Sequence, residues 1–161
     1  MKILGFVALL ALFIAIGALV AGQLGFFAGT PPQKLGWADG RLAQPSKNPN
    51  SVSSQAALYP DHPQKQFADI AAFKFTGDGD AAMSRLADLL QKSERTVVRK
   101  REPGYIYAQS TTVWFKFTDD MEFLLDRPGG VIHVRSSSRL GRKDFGANRA
   151  RIEVIRAGFV N

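Results

Sequence analysis

Hydrophobic and polar positions change period along the chain. From Ile3 to Phe27 there is no charged residue, and Gln23 is the one strongly polar side chain. As a helix, such a run spans roughly 37 Å, more than the ~30 Å hydrocarbon core of a bilayer. A helix also satisfies its own backbone groups in lipid. The predicted element is a transmembrane anchor over residues 1–29. A cleaved signal peptide is the rival reading. Val20-Ala21-Gly22 offers a small-residue site, although a signal peptide's apolar core is normally only ~7–15 residues long. Lys2 precedes the segment, and Lys34 and Arg41 follow it. The charge bias is therefore weak, and the short leading tail favours a cytoplasmic N-terminus.

Residues 30–63 lose the apolar pattern. Pro31, Pro32, Pro45, Pro49, Pro60 and Pro63 forbid a long helix. The expectation is an extended surface segment, pinned by Leu35 and Trp37. The folded domain is predicted over 64–161. Phe67, Ala71, Phe73 and Phe75 alternate as one face of a strand. Thr76–Asp80 is a turn that leads to a helix cap. Met83, Leu86 and Leu90, flanked by Ala82 and Leu89, recur at helical spacing until about Lys92.

Val97-Val98 opens a strand that turns at Glu102-Pro103-Gly104, and Tyr105–Thr112 is the next. Val113, Phe115 and Phe117 read as one strand face, with Trp114 and Lys116 on the other. Met121, Phe123 and Leu125 alternate with Glu122 and Leu124. Arg127-Pro128-Gly129-Gly130 turns this strand into Val131–Ser136. Asp144 can cap a last helix, in which Asn148, Ile152, Ile155 and Phe159 share a stripe. The predicted fold is α+β: a transmembrane helix, then an antiparallel sheet of about four to five strands covered by two helices.

The composition suits a folded chain, with 45% hydrophobic residues and 12 Phe in 161 positions. Cysteine is absent, which excludes a disulfide framework, a thiolate metal site and a cysteine nucleophile. The net charge of +7 suits nucleic acid, anionic lipid or an acidic partner, and plain solubility is the commonest reason for an excess of this size. The membrane segment weighs against nucleic acid.

Two C-terminal runs, Val131–Gly141 (VIHVRSSSRLG) and Asp144–Glu153 (DFGANRARIE), resemble the DUF1499 family of bacterial and plastid-lineage proteins. Thr118–Phe123 (TDDMEF) and Pro49–Gln55 (PNSVSSQ) are similar to two further stretches of that family. The resemblance spans roughly residues 36–157. It implies no activity, since the family is named for its unknown function. Members often carry a cysteine pair, and the corresponding positions here are Pro45 and Ser51.

Candidate chemistry concentrates in the C-terminal third. Between Val131 and Ala157 stand Arg135, Arg139, Arg142, Lys143, Arg149, Arg151 and Arg156, against Asp144 and Glu153. Arginine forks suit phosphate and carboxylate, and a Gly-Arg-Lys-Asp loop entering a helix N-terminus adds donors. Arg135, Arg139, Arg142, Lys143, Asn148 and Arg149 are therefore the candidate ligand or partner residues. The competing reading is internal: Arg135 or Arg139 paired with Asp119, Asp120 or Glu122, and Arg149, Glu153 and Arg156 as a surface row.

Adjacent Asp119 and Asp120 point to opposite faces of a strand, so they make no natural dyad. Two isolated histidines, His62 and His133, make no zinc site. Neither a Gly-x-Ser-x-Gly elbow nor a nucleotide-binding glycine loop occurs. No catalytic residue, metal or cofactor is expected.

The function these readings favour is a membrane-anchored, non-catalytic binding or accessory protein docking on a larger membrane protein complex. It would sit in the cytoplasmic membrane with its domain on the periplasmic side. The alternative is a domain that binds an anionic lipid or small amphiphile at the membrane surface. A hydrolase using Ser53, Asp120 and His133 ranks below both. An uncovered sheet face presenting Trp114 and a tyrosine would be a docking surface.

Overall fold

The computed structural model describes residues 2–160. Met1 and Asn161, the outer bounds expected for the anchor and the domain, lie outside them. Helix α1 (Lys2–Gln23) carries an apolar run, Ile3–Gln23, that is long enough to cross a membrane. The run is apolar on every side and exposed along most of its length, and its end, at Gly22 and Gln23, meets the rest of the chain.

A short hairpin follows, β1 (Trp37–Ala38) with β2 (Arg41–Leu42). The domain then runs β3 (Ser51–Ser53), α2 (Lys65–Ala68), β4 (Phe73–Lys74), α3 (Gly79–Lys92) and β5 (Thr96–Glu102). It closes with β6 (Tyr105–Thr111), β7 (Thr118–Asp126), β8 (Val131–Ser138) and α4 (Ala147–Val160).

The fold is α+β as expected, and the main sheet has six strands. Its order is β3-β8-β7-β6-β5, and every pairing is antiparallel. β4 lies end to end with β3 along one edge of β8. At the other edge, β5 carries Arg99, Lys100, Arg101 and Glu102 and a register shift at Val98/Lys100. Charges and a bulge both deter edge-to-edge pairing with another chain.

Local chemistry explains both long domain helices. Asp78 caps α3, its Oδ1 accepting the Ala81 N–H at 2.7 Å. Asp144 does the same for α4, accepting from the Gly146 and Asn148 N–H groups. The stripes Met83, Leu86, Leu90 and Ile152, Ile155, Phe159 are buried on one face of the sheet, against Ile106, Met121, Phe123, Ile132 and Val134. Phe73 meets Phe123 and Phe159 edge-on, at 5.8 and 5.7 Å between centroids. The Arg156 guanidinium lies 4.4 Å from its ring centre.

Four expectations are corrected. The segment read as a strand from Phe67 to Phe75 is the helical turn α2 followed by the two-residue β4. Ala68 and Ile70 are buried there, whereas Phe67 and Ala71 are exposed. Arg149 and Arg156 take the Phe67, Ala71 and Ala72 carbonyls that a ladder would have used.

The residues read as a strand from Val113 to Phe117 form the β6–β7 loop. The Thr112 N–H bonds to the Phe117 carbonyl at 2.9 Å, and Lys116 takes φ +55° to reverse the chain. Part of the stretch read as surface linker enters the sheet as β3, with Val52 in the main core. Leu35 does pin that stretch, packing on Leu42, Tyr105, Tyr107 and Leu124, but Trp37 stays 53% exposed.

Phe73→Ala would empty the centre of the core and unseat Arg156. Unfolding free energy, read from urea titration, should fall by about 3–5 kcal/mol.

Candidate functional site

The sheet face away from the helices is polar and covered. Alternation along β6, β7 and β8 sends Tyr105, Tyr107, Asp120, Glu122, His133 and Arg135 to this side, opposite the apolar core. The segment after α1 lies across it.

Glu122 is fully buried. Its Oε1 accepts the Tyr105 hydroxyl at 2.8 Å and the Gly36 N–H at 2.7 Å. Its Oε2 accepts Arg135 Nη1 at 2.7 Å. Asp120, equally hidden, accepts both Nε and Nη2 of Arg139 at 2.8 Å and the Tyr107 hydroxyl at 2.6 Å. Arg139 Nη1 reaches the Ala28 and Gly29 carbonyls, and Arg135 Nε reaches that of Gln44. The two buried ion pairs are therefore roofed by backbone from the α1 exit and the following segment.

Burial, and then the Glu122 charge, hold the Tyr105 hydroxyl far above its ordinary value. Burial and the bond to Asp120 raise Tyr107. The bond to Asp120 also raises Arg139.

On the helix side, Asp119 pairs with Arg151 at 2.6 Å. Buried Asn148 links Ser138, the Asn50 carbonyl and Asp144 through its amide nitrogen. Its amide oxygen receives Ser136 and Arg151. The expected row of Arg149, Glu153 and Arg156 is only half formed: Arg156 pairs with Glu153, while Arg149 is bound to Phe67.

The six candidate residues thus separate. Arg135 and Arg139 serve buried carboxylates, Asn148 ties β8 to α4, and Arg149 holds a carbonyl. Arg142 and Lys143 come together with Lys47, Asn48, Pro49, Gln64 and Phe145 around an open groove of about 520 Å³. Among the described residues, Lys47, Arg142 and Lys143 make no ion pair or side-chain hydrogen bond. Phe145 is 95% exposed at φ +53°, a left-handed conformation unfavourable for a bulky side chain. Lys47 and Phe145 were missed because they are distant in sequence and the groove exists only once Pro49 meets Asp144, whose N–H bonds to the Pro49 carbonyl.

Ser53, Asp120 and His133 do not share a cleft. His133 instead meets Ser54, with Oγ to Nδ1 at 3.2 Å, and Asp126, with Nε2 to Oδ2 at 3.6 Å. That is the order of groups in a hydrolase triad. Here Ser54 Oγ also accepts the Val134 N–H at 2.9 Å, and the main cavities among the described residues are lined by neither Ser54 nor His133. The chain of bonds works as a bracket between the end of β3 and β8. The tyrosines expected beside Trp114 on an open face are buried, and Trp114 stands apart on the β6–β7 loop. Among the described residues, no group of three or more His, Asp or Glu could hold a metal ion.

These features define an α+β domain of six antiparallel strands that seals charged pairs beneath the exit of an apolar helix. The chain belongs to the DUF1499 family: that family's model, described as a protein of unknown function, matches residues 41–159. No curated protein and no solved structure matches the chain. At the two positions where the resemblance places a cysteine pair in other members, Pro45 and Ser51, the N–H of Ser46 donates to Ser51 Oγ at 2.8 Å. A hydrogen bond ties that corner here.

Arg135→Met would strand a buried carboxylate and should cost about 3–5 kcal/mol in urea unfolding. Adding Glu122→Gln, which still accepts from Tyr105 and Gly36, should recover part of that loss. Both tyrosines resist ionising in the fold, whereas unfolded tyrosine ionises near pH ~10. Stability is therefore fully present below that pH and is lost as pH rises above it, where the unfolded state binds fewer protons. Urea midpoints should drop from about pH 9 to about pH 11, and less steeply in Tyr105→Phe.

Proposed function

We propose that the chain is a single-span, membrane-anchored binding module without chemistry of its own, docking on a larger membrane protein complex. The observation that carries this reading is the bonding between the α1 exit and the domain's buried charges. Arg139 holds the Ala28 and Gly29 carbonyls, and Glu122 holds the Gly36 N–H. Gln23 Nε2 bonds to the Trp114 carbonyl at 2.9 Å.

Gly22 and Gln23 thus lie against the domain at the position where a signal peptidase would cut. A helix kept in the membrane suits such packing better than one discarded. The paired arginines leave neither Asp120 nor Glu122 free for acid–base work. The groove of Lys47, Arg142 and Lys143 is polar surface left uncommitted, and it suits an acidic segment of a partner. The proposed location is the cytoplasmic membrane, with the domain on its outer, periplasmic side.

A second reading has its own support. Three unpaired cations beside an exposed, strained Phe145 match an anionic headgroup with apolar chains attached. Mild detergent extraction of the full chain, followed by native sizing and mass spectrometry, separates the two. Co-migration with a stoichiometric partner is expected, lost in the triple variant Lys47→Glu, Arg142→Glu, Lys143→Glu. A lone small species overturns docking. In that case, salt-sensitive retention of phosphatidylglycerol by wild type, absent in the variant, establishes the lipid reading. In spheroplasts, added protease should digest the domain.

A further inference from the structure

We propose that the β6–β7 loop, Thr112–Phe117, is a second membrane contact that seats Trp114, Phe115 and Phe117 in the bilayer interface beside the exit of α1. This rests on the reading of α1 as an anchor.

Depth is the first argument. At 1.5 Å per residue, the 22 residues of α1 measure about 33 Å, close to the ~30 Å hydrocarbon thickness. Residues 22–27 therefore fall at the far boundary of the apolar layer.

The loop is fixed at that same depth. Gly22 lies so close to it that an added Cβ would stand 2.7 Å from the Phe115 Cα. Phe27 stacks on Phe117 at 5.5 Å between centroids and meets Phe115 edge-on at 6.2 Å. If α1 spans the bilayer, this loop cannot stand clear of it.

Chemistry is the second argument. Trp114 is 68% exposed, and Val113, Phe115 and Phe117 are also exposed. A loop this apolar is out of place in water and belongs where aromatic residues collect, at the membrane–water boundary. Lys116 supplies a cation on a long apolar stem, suited to reach anionic headgroups. Gln23 fits the same account. Its Nε2 donates to the Trp114 and Val113 carbonyls, satisfying loop backbone that lipid could not.

The chain has two tryptophans. Trp37 belongs to the β1–β2 hairpin, whose tip, Gly40, shares a cavity with the β7–β8 turn at the opposite end of the sheet. Full-length Trp37→Phe and Trp114→Phe, each with one tryptophan left, would be reconstituted in phosphatidylcholine–phosphatidylglycerol liposomes. The lipids would carry bromine near the headgroup end of the acyl chains.

Trp114 should emit to the blue of free tryptophan, lose most of its intensity to the brominated lipid and resist acrylamide. Trp37 should do none of these. Trp114 that is open to acrylamide and indifferent to bromine, in protein that survives carbonate washing, overturns the inference and leaves the anchor intact. Protein removed by carbonate overturns the anchor reading and this inference with it.

Discussion

A buried carboxylate has to be neutralised where it stands, and Glu122 makes that demand at the centre of the sheet. On one side, Tyr105 reaches it from β6. On the other, Arg135 stands directly across in β8, in cross-strand register with it. Above, the Gly36 N–H closes the shell. A one-residue slip of β7 would turn Glu122 into the helix-covered core and expel Phe123, so this group and its partners specify register as strongly as the apolar face does. Such a pair adds little net stability over an apolar replacement, because desolvation offsets attraction. What it enforces is that residues near 36 must lie on the sheet.

That requirement links the two ends of the molecule. The helix side of the sheet is an ordinary apolar core, built by period-two strands against two amphipathic helices. The other side is closed by the segment that follows α1, and its closure depends on Glu122, Asp120 and their arginines. Because Arg139 also grips the Ala28 and Gly29 carbonyls, the exit of α1 cannot shift without disturbing a bidentate ion pair. The domain is therefore held at a set orientation to the helix rather than tethered loosely.

Elements with strong local signals were legible in the residues. Helix α3 follows from its Asp78 cap and its Met83, Leu86, Leu90 stripe, and the β7–β8 hairpin from Pro128-Gly129-Gly130. The choice between internal and external partners for arginine was open in one dimension. Asp119, Asp120 and Glu122 each find a different arginine, and only the third dimension assigns Arg151 to the first.

The misread segments share a cause. At 67–75 and 113–117 apolar residues alternate, but their partners are not the sheet. Arg149 and Arg156 claim the first backbone, and Phe27 claims the second loop's rings. Neither contact has a sequence signature, since each joins residues some 80 or more positions apart.

The same pairing changes what the positive charge means. Seven basic residues between 131 and 157 suggest a broad cationic field. Four of them, Arg135, Arg139, Arg151 and Arg156, face carboxylates within ion-pair distance, and Arg149 is spent on a carbonyl. Local field is set by what is left unpaired, which is Arg142 and Lys143, joined by Lys47 from a distant turn. Three cations at one groove concentrate charge at a single place, whereas binding of a long polyanion grows with the number of charges engaged along its length.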